Sequence, residues 1–158
     1  MVGIFLLFSY FVCPVIWWNF SPSAPEGIYV YTPNQKLNYG DYAVVKLPVD
    51  VPPLRKGHRM LKQVQGFPED VYTVTGTFLV IRDRKYPISY KKTLPHLAPG
   101  TFAIKQDSYL FLNNPDISFD SRYLGQIPKK DVLCKVNLLI SFNTISDLAE
   151  GVKRYANW

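Results

Sequence analysis

The first 18 residues carry no charged side chain, and the stretch from Val2 to Trp18 is almost entirely apolar or aromatic. As an α-helix, this stretch would span about 25 Å, which is near the lower limit for crossing a bilayer. Trp17 and Trp18 end the run, and indole rings favour the lipid–water interface. The pattern therefore predicts a single transmembrane anchor over residues 1–18.

A cleaved signal peptide and a buried core helix are the alternatives for this segment. A signal peptide needs a basic start and a small-residue exit, and the segment contains no basic residue. Large apolar side chains on every face would be unusual for a core helix in a small domain. Because no Lys or Arg precedes the segment, the positive-inside rule specifies its orientation only weakly.

After Pro25 the pattern changes to short strands separated by turns. GIYVYTP and YAVVKLP read as strands rich in β-branched and aromatic residues, and a turn at residues 38–41 separates them. The segment 59–88 predicts three strands, since Gly66-Phe67-Pro68 and Gly76 supply two breaks. GTFAIKQDSYLFLNNP predicts a further hairpin, and DVLCKVNLLISF predicts a last apolar strand.

Helical periodicity appears only from Ser146, which could cap a helix with Leu148, Val152 and Tyr155 on one face. We therefore expect a mainly β fold with small curled or barrel-like sheets, one preceding transmembrane helix and a short C-terminal helix. The 13 prolines suit a loop-rich β domain and argue against a helical bundle.

The predicted organisation is an anchor at 1–18, a folded domain at 19–145 and a C-terminal tail at 146–158. A chain of 158 residues is long enough for one domain with its own core. The net charge is +6, and every basic residue follows the apolar segment. A basic face near anionic lipid gains about 1 kcal/mol per charge. Aromatic residues are not interleaved with the basic ones as stacking platforms, so no nucleic-acid partner is expected.

The two cysteines, Cys13 and Cys134, lie far apart in the sequence, the first inside the predicted anchor. We therefore expect no disulfide between them. Together with the isolated His58 and His96 they form no metal-ligand spacing, and no glycine-rich phosphate loop is present. No metal and no cofactor are expected.

A serine hydroxyl is a poor nucleophile until a neighbouring base removes its proton. Neither His58 nor His96 completes a persuasive Ser/His/Asp set, because both lie beside basic or proline-rich turns. A lysine can serve instead if burial lowers its pKa toward neutrality. In RMLKQVQGF, Lys62 shares one strand face with Met60 and Val64. From composition alone, a solvated strand lysine is the simpler interpretation.

Four segments, in order, resemble the motifs of the membrane-bound signal peptidases, which are serine peptidases with a Ser–Lys pair. NFSPSAPEGIY resembles the nucleophile motif, GDYAVVKLP the strand that follows, MLKQVQGFPEDVY the lysine motif and SFDSRYLG the C-terminal motif. The Asn start and the Pro-x-Gly-Ile-Tyr end of the first segment are similar to those of TraF-type conjugative-transfer peptidases. The four segments are distributed along the chain between Asn19 and Ile127.

The resemblance implies a catalytic role for four residues. Ser23 matches the family's nucleophile and Lys62 its general base. The Ser21 hydroxyl matches a group that joins the Ser23 backbone N–H in the oxyanion hole. Ser118 matches a serine that hydrogen-bonds to the catalytic lysine and orients it.

The resemblance also implies structural support from Asp120 and Arg122, which match a paired acid and base. The chain departs from the family pattern in the lysine motif, where Gln63 replaces an Arg and Pro68-Glu69-Asp70 replaces Pro-Gly-Asp. Residues 112–114 read Leu-Asn-Asn where Gly-Asp is usual. None of these departures removes a catalytic group, although they bear on the geometry of the last loop.

By resemblance, the protein is expected to be a single-pass inner-membrane serine endopeptidase with its catalytic domain on the periplasmic, extracytoplasmic face. Its expected partners are the lipid bilayer and a membrane-bound precursor, by resemblance a pilin precursor of a conjugative transfer system. The acyl-enzyme would then be hydrolysed or passed to an amine. A general secretory type I signal peptidase and a catalytically silent assembly protein remain as alternatives.

Overall fold

The computed structural model describes residues 15–91 and 93–156, with side chains described up to residue 150. Within these ranges the chain forms eleven strands in two antiparallel sheets, and two helices. Along the chain the elements are β1 (Ile16–Asn19), β2 (Gly27–Tyr31), β3 (Tyr42–Lys46), β4 (Arg59–Gly66), β5 (Val71–Val74), β6 (Phe78–Ile81), β7 (Arg84–Pro87), β8 (Gly100–Ala103), β9 (Ser108–Phe111), α1 (Ser121–Leu124), β10 (Ile127–Pro128), a 3-10 turn (Lys129–Asp131), β11 (Val132–Ser141) and α2 (Phe142–Ala156).

The larger sheet has seven strands in the order β1-β2-β11-β3-β4-β9-β10. The long strand β11 pairs with β3 through its first half and with β2 through its second half. Strands β3 and β4 are apolar on both faces, with Val44 and Leu61 in one core cluster and Val45 and Met60 in another. This double burial explains why their sequences read as nearly continuous apolar runs.

The smaller sheet has four strands in the order β7-β6-β5-β8 and covers its own apolar cluster. Its β6–β7 turn consists of Arg82 and Asp83, both with positive φ, 47° and 61°. Such a two-residue turn usually carries Asn-Gly or Asp-Gly, so Arg-Asp gives a weak turn signal. For that reason residues 59–88 contain four strands rather than the three predicted.

The mainly β prediction is confirmed, but the expected hairpin at residues 100–115 is wrong. Strand β8 pairs with β5 in the smaller sheet, whereas β9 pairs with β4 in the larger one. The chain crosses between the sheets at Ile104, whose buried side chain lies in the core of the smaller sheet. Alternation of apolar residues predicts strands but does not specify their partners. The strand orders describe two open sheets in the described ranges rather than a closed barrel.

The predicted anchor over residues 1–18 falls mostly on residues 1–14, which lie outside the described residues. Its last part is corrected, because Ile16 to Trp18 lie in β1 and pair with β2, Ile16 opposite Val30. Ile and Trp favour strands when a neighbouring strand is available. The folded domain therefore includes residue 16 rather than beginning at 19. Across the described ranges, no helix has both the length and the apolarity needed to span a bilayer.

The C-terminal helix α2 begins at Phe142, four residues before the predicted start. The Ser141 hydroxyl accepts a hydrogen bond from the Thr144 N–H at 3.1 Å and so caps the helix. The Ser146 hydroxyl instead donates to the Phe142 carbonyl at 3.1 Å, from within the first turn. The boundary between 19–145 and 146–158 therefore moves to the junction of β11 and α2.

Cys134 is buried in β11 and is disulfide-bonded. Cys13 lies outside the described residues. The expectation of no disulfide is wrong for Cys134, which is bonded. That expectation assumed a membrane helix over the whole of residues 1–18, whereas Ile16 to Trp18 lie in β1.

Candidate active site

A tight turn between β1 and β2 carries Ser23, and the buried side chain of Asn19 organises it. The Asn19 Nδ2 donates to the carbonyl oxygens of Ser21, Ala24 and Pro25 at 2.9, 3.2 and 3.1 Å. Its Oδ1 accepts from the Ser21 N–H at 3.2 Å. One amide therefore bonds to four backbone groups and sets the conformation of the turn.

Ser21 and Ser23 lie on the open side of this turn and contact each other. Their hydroxyl oxygens are 2.9 Å apart, and the Ser23 N–H donates to the Ser21 Oγ at 3.4 Å. Ser21 is exposed and Ser23 is half-buried. The structure thus brings together the two groups that the sequence assigns to an oxyanion hole.

Lys62 lies in the middle of β4, opposite Ala43 of β3, and is only 6% exposed. Its Nζ donates to the Ser118 Oγ at 3.2 Å. Burial lowers the pKa of Lys62 from its ordinary 10.5 to about 8, with the Asp120 carboxylate opposing this shift and Arg122 adding to it. The alternative of a solvated lysine is therefore excluded.

Asp120 and Arg122 form a fully buried ion pair close to the lysine. The Arg122 Nη2 and Nε lie 2.8 and 2.9 Å from the two carboxylate oxygens of Asp120. The Arg122 Nη2 also reaches the carbonyl oxygens of Asn113 and Pro115, each at 2.9 Å, and the Nη1 donates to the Pro87 carbonyl at 3.3 Å. The pair thereby holds the loop that presents Ser118, which is a structural role.

Asn113 is a buried residue that the sequence marked only as a departure from the family pattern. Its Oδ1 accepts from the Gln63 N–H at 2.9 Å, and its Nδ2 donates to the Leu61 carbonyl at 3.2 Å. These two backbone groups flank Lys62 on both sides. The only sequence signal for this contact was an asparagine placed shortly after the apolar segment of β9.

Ser21, Ser23 and Lys62 line one cavity of about 690 Å³. Its walls are largely apolar, with Trp17, Phe20, Met60, Leu61, Ile117 and Phe119 among them. Ser23 and Lys62 share this cavity without a direct hydrogen bond among the described contacts, and Ser118 joins the group through Lys62. His58, which the sequence indicated as a loop residue, is exposed and also lines the cavity.

A second cavity of about 450 Å³ also includes Ser23, but not Lys62, in its lining. Glu26, Tyr42 and Asn143 contribute to its walls, the last from α2. The Ser23 hydroxyl therefore stands between two depressions with different linings.

Comparison with curated protein sequences finds no match. Among solved structures, the chain is similar to the crystal structure of a signal peptidase I from Enterococcus faecalis V583. The identity is 18% and the TM-score 0.44, over 65% of this chain and 97% of that chain. The family model described as signal peptidase, peptidase S26, matches residues 1–141. This match covers most of the chain and confirms the resemblance, so the protein belongs to the S26 signal peptidase family, which implies a serine peptidase.

Proposed function

We propose that the protein is a membrane-anchored serine endopeptidase in which Ser23 and Lys62 form a catalytic dyad that processes exported precursors. One observation carries this proposal: a buried lysine with a lowered pKa lines the same apolar cavity as a serine in a fixed turn. Burying a lysine costs free energy of folding, and groups in a cleft with strongly shifted pKa values are typical of functional sites. Membership in the S26 family supports the peptidase class.

In the proposed reaction, neutral Lys62 acts as the general base. With a pKa of about 8, roughly a tenth of the lysine is neutral at pH 7. The Ser23 hydroxyl turns about its Cα–Cβ bond toward the Nζ, and its oxygen attacks the scissile carbonyl as the lysine takes the proton. Lys62 then returns that proton to the leaving amine. Water, or an amine, resolves the acyl-enzyme.

The oxyanion would be held by the Ser23 N–H and the Ser21 hydroxyl. At rest, the Ser23 N–H makes a long 3.4 Å hydrogen bond to the Ser21 Oγ. A developing oxyanion is the stronger acceptor, so it replaces the Ser21 oxygen there while the Ser21 O–H turns to donate. Each such donor typically contributes about 2.7–4 kcal/mol to transition-state stabilisation.

The substrate would bind as an extended segment along the apolar cavity. Strand β1 is the terminal strand of the larger sheet as described, and Trp17 to Asn19 line the cavity, so an added strand has a natural place there. The cavity would hold the acyl side, with small side chains near the cut as the family resemblance implies. The second cavity would hold the leaving side.

Exposed aromatic rings beside the site support a position at the membrane surface. Trp18 and Phe20 are 56% and 70% exposed, and both stack with Phe142 at centroid distances of 6.5 and 5.2 Å. Trp and Phe rings favour the bilayer interface. The disulfide at Cys134 supports an oxidising compartment such as the periplasm. The proposed location is the inner membrane, with the domain on its outer face.

The proposed substrate is a pilin precursor of a conjugative transfer system. This finer assignment is supported by the resemblance of NFSPSAPEGIY to TraF-type peptidases. Anchoring enzyme and precursor in one bilayer would raise their effective concentration, so weak sequence recognition would suffice.

The experiment is to compare protein N-termini in envelope fractions of cells carrying the wild type, Ser23→Ala or Lys62→Met. Ser89→Ala, whose side chain is exposed and makes no hydrogen bond among the described contacts, is the matched control. We expect one small exported protein to keep its leader only in cells that carry Ser23→Ala or Lys62→Met. Accumulation of many precursors would favour a general secretory signal peptidase instead. Unchanged N-termini in both variants would contradict the dyad and favour a silent assembly protein.

A further inference from the structure

The edge of β4 that faces β9 has a gap in its hydrogen-bond ladder beside Lys62. Val64 pairs with Phe111, and the Leu112 N–H donates to the Gln63 carbonyl at 2.9 Å. The main chain then turns away into the loop that carries Ser118. In an antiparallel sheet, the backbone groups of alternate residues hydrogen-bond to opposite neighbouring strands. Those of Leu61 and Gln63 therefore point toward the β9 edge of β4.

The side chain of Asn113 fills this gap. Its amide accepts from the Gln63 N–H and donates to the Leu61 carbonyl, at 2.9 and 3.2 Å. Asn113 is 2% exposed, so no water competes for these groups. The amide thereby continues the ladder on both sides of Lys62 after the main chain has left it.

Asn113 is itself held by the ion pair beneath the loop. Its N–H donates to the Asp120 Oδ2 at 3.0 Å, and its carbonyl accepts from the Arg122 Nη2 at 2.9 Å. One residue thus connects the strand that presents Lys62 with the loop that presents Ser118. Movement of either would break hydrogen bonds in both.

We propose that Asn113 is a positioning residue for Lys62, and that its neutral amide holds the lysine Nζ in its buried place against Ser118. This role rests on the proposed Ser–Lys chemistry for its consequence in catalysis, but not for its structural basis. An amide is suited to this place because it can accept from Gln63 and donate to Leu61 at once, whereas a carboxylate can only accept.

The absence of charge at residue 113 also matters for the lysine. The charged groups already facing Lys62 are Asp120 and Arg122, which act in opposite directions, while His58 and Arg59 line the cavity. A carboxylate at 113 would add negative charge without a partner and would favour protonated Lys62.

The experiment compares the full-length wild type with Asn113→Leu, which keeps the volume but neither hydrogen bond, and Asn113→Asp, which keeps only the acceptor. Asn137→Ala, an exposed strand position, is the control. Two readouts are used: the pH dependence of kcat and KM on a precursor peptide, and the titration of Lys62 by NMR with labelled lysine. Lys62→Met identifies the Lys62 signal.

We expect Asn113→Leu to lower kcat about tenfold or more with little change in KM, because the substitution displaces the lysine base and leaves substrate binding intact. In Asn113→Asp, the midpoint of the Lys62 titration should rise by about one pH unit. The midpoint of the low-pH limb of the kcat profile should move to higher pH with it. Asn137→Ala should match the wild type in both.

An unchanged Lys62 titration in folded Asn113→Asp would overturn the positioning role, whatever the activity. If Asn113→Leu does not fold, the Lys62 titration in Asn113→Asp alone tests the positioning role. If the wild type cleaves no precursor but the Lys62 titration moves as expected, the positioning role stands and the proposed peptidase function fails. A lower kcat in Asn113→Asp with an unmoved acid limb would indicate a general loss of structure and would also overturn the proposal.

Discussion

The two members of the proposed dyad are held in opposite ways. Ser23 lies in an open turn whose described hydrogen bonds stay within residues 19–29. Lys62 lies in an inner strand, and the groups that hold it, Ser118 and Asn113, are some 50 residues away in the sequence. A nucleophile must contact the substrate, so it lies in an accessible turn held by hydrogen bonds between neighbouring residues. A lysine base must be kept from water, so it is surrounded by residues that are distant in the sequence.

This contrast separates activity from stability. Changes to Ser21 and Ser23 on the open side of the turn should lower activity while leaving the free energy of unfolding nearly unchanged. Changes around the lysine should alter that free energy as well, in a direction set by which charge is removed.

The largest effect is expected for Ser23→Ala, which removes the nucleophile. Cleavage of a precursor peptide should fall by a factor of about 10⁴ or more, and the urea-derived free energy of unfolding should change by less than about 0.5 kcal/mol. Ser21→Ala should reduce kcat by only about 10²–10³, because it removes one oxyanion donor. A larger loss in Ser21→Ala than in Ser23→Ala would argue that Ser21, not Ser23, is the attacking group.

Arg122→Met should cause the largest loss of stability among these variants. It leaves the Asp120 carboxylate buried without its partner, and breaking such a pair costs about 3–5 kcal/mol. Urea unfolding measures the change, with the exposed Arg55→Met as the control. A loss no larger than that of the control would mean that the pair does not hold the loop.

Lys62→Met should stabilise the protein while abolishing activity. The folded-state pKa of Lys62 is lowered from 10.5 to about 8, so the native state carries a penalty on the order of 3 kcal/mol below pH 8. That penalty declines between pH 8 and 10.5 and vanishes above, because neither state then binds the proton. Unfolding at pH 7 should show the gain over wild type, and unfolding above pH 10.5 should not. The control Lys85→Met, at an exposed residue, should show no gain at either pH. A gain in Lys62→Met that does not depend on pH would contradict a charge-based cause.

Asn19→Ala should have a modest effect on stability and a clear effect on turnover. It removes the side chain that bonds to four backbone groups of the turn, at an expected cost of about 1–2 kcal/mol. Turnover should fall about tenfold while the titration of Lys62 stays in place, since the turn and the strand are held separately. A shift in that titration would show that the two regions are coupled.

The order of the motifs allowed Ser23, Lys62 and Ser118 to be predicted, because each lies in a recognisable local sequence. The burial of Lys62 could not be read from its strand, since a buried and a solvated lysine give the same alternation. Its surroundings are distant in the sequence: Ala43 lies opposite Lys62 on β3, and the Ser118 hydroxyl accepts from its Nζ.

The parts that were missed depend on pairing rather than on local pattern. The apolar and aromatic residues of β1 suit the end of a helix as well as a strand, and only pairing with β2 decides between the two. The role of Asn113 depends on where the main chain leaves β9, which is a feature of the sheet. The family match to residues 1–141 confirms the class of protein without settling either point.

The central claim is that neutral Lys62 activates Ser23, and the pH dependence of acylation tests it most directly. The rate of acyl-enzyme formation on Ser23 would be followed by intact-protein mass spectrometry from pH 5 to 10. The expected profile rises with pH through a midpoint near 8, since the lysine must lose its proton to act. Acylation that persists with the same pH profile in Lys62→Met would instead make another group, such as His58 in the same cavity, the base and would contradict this assignment.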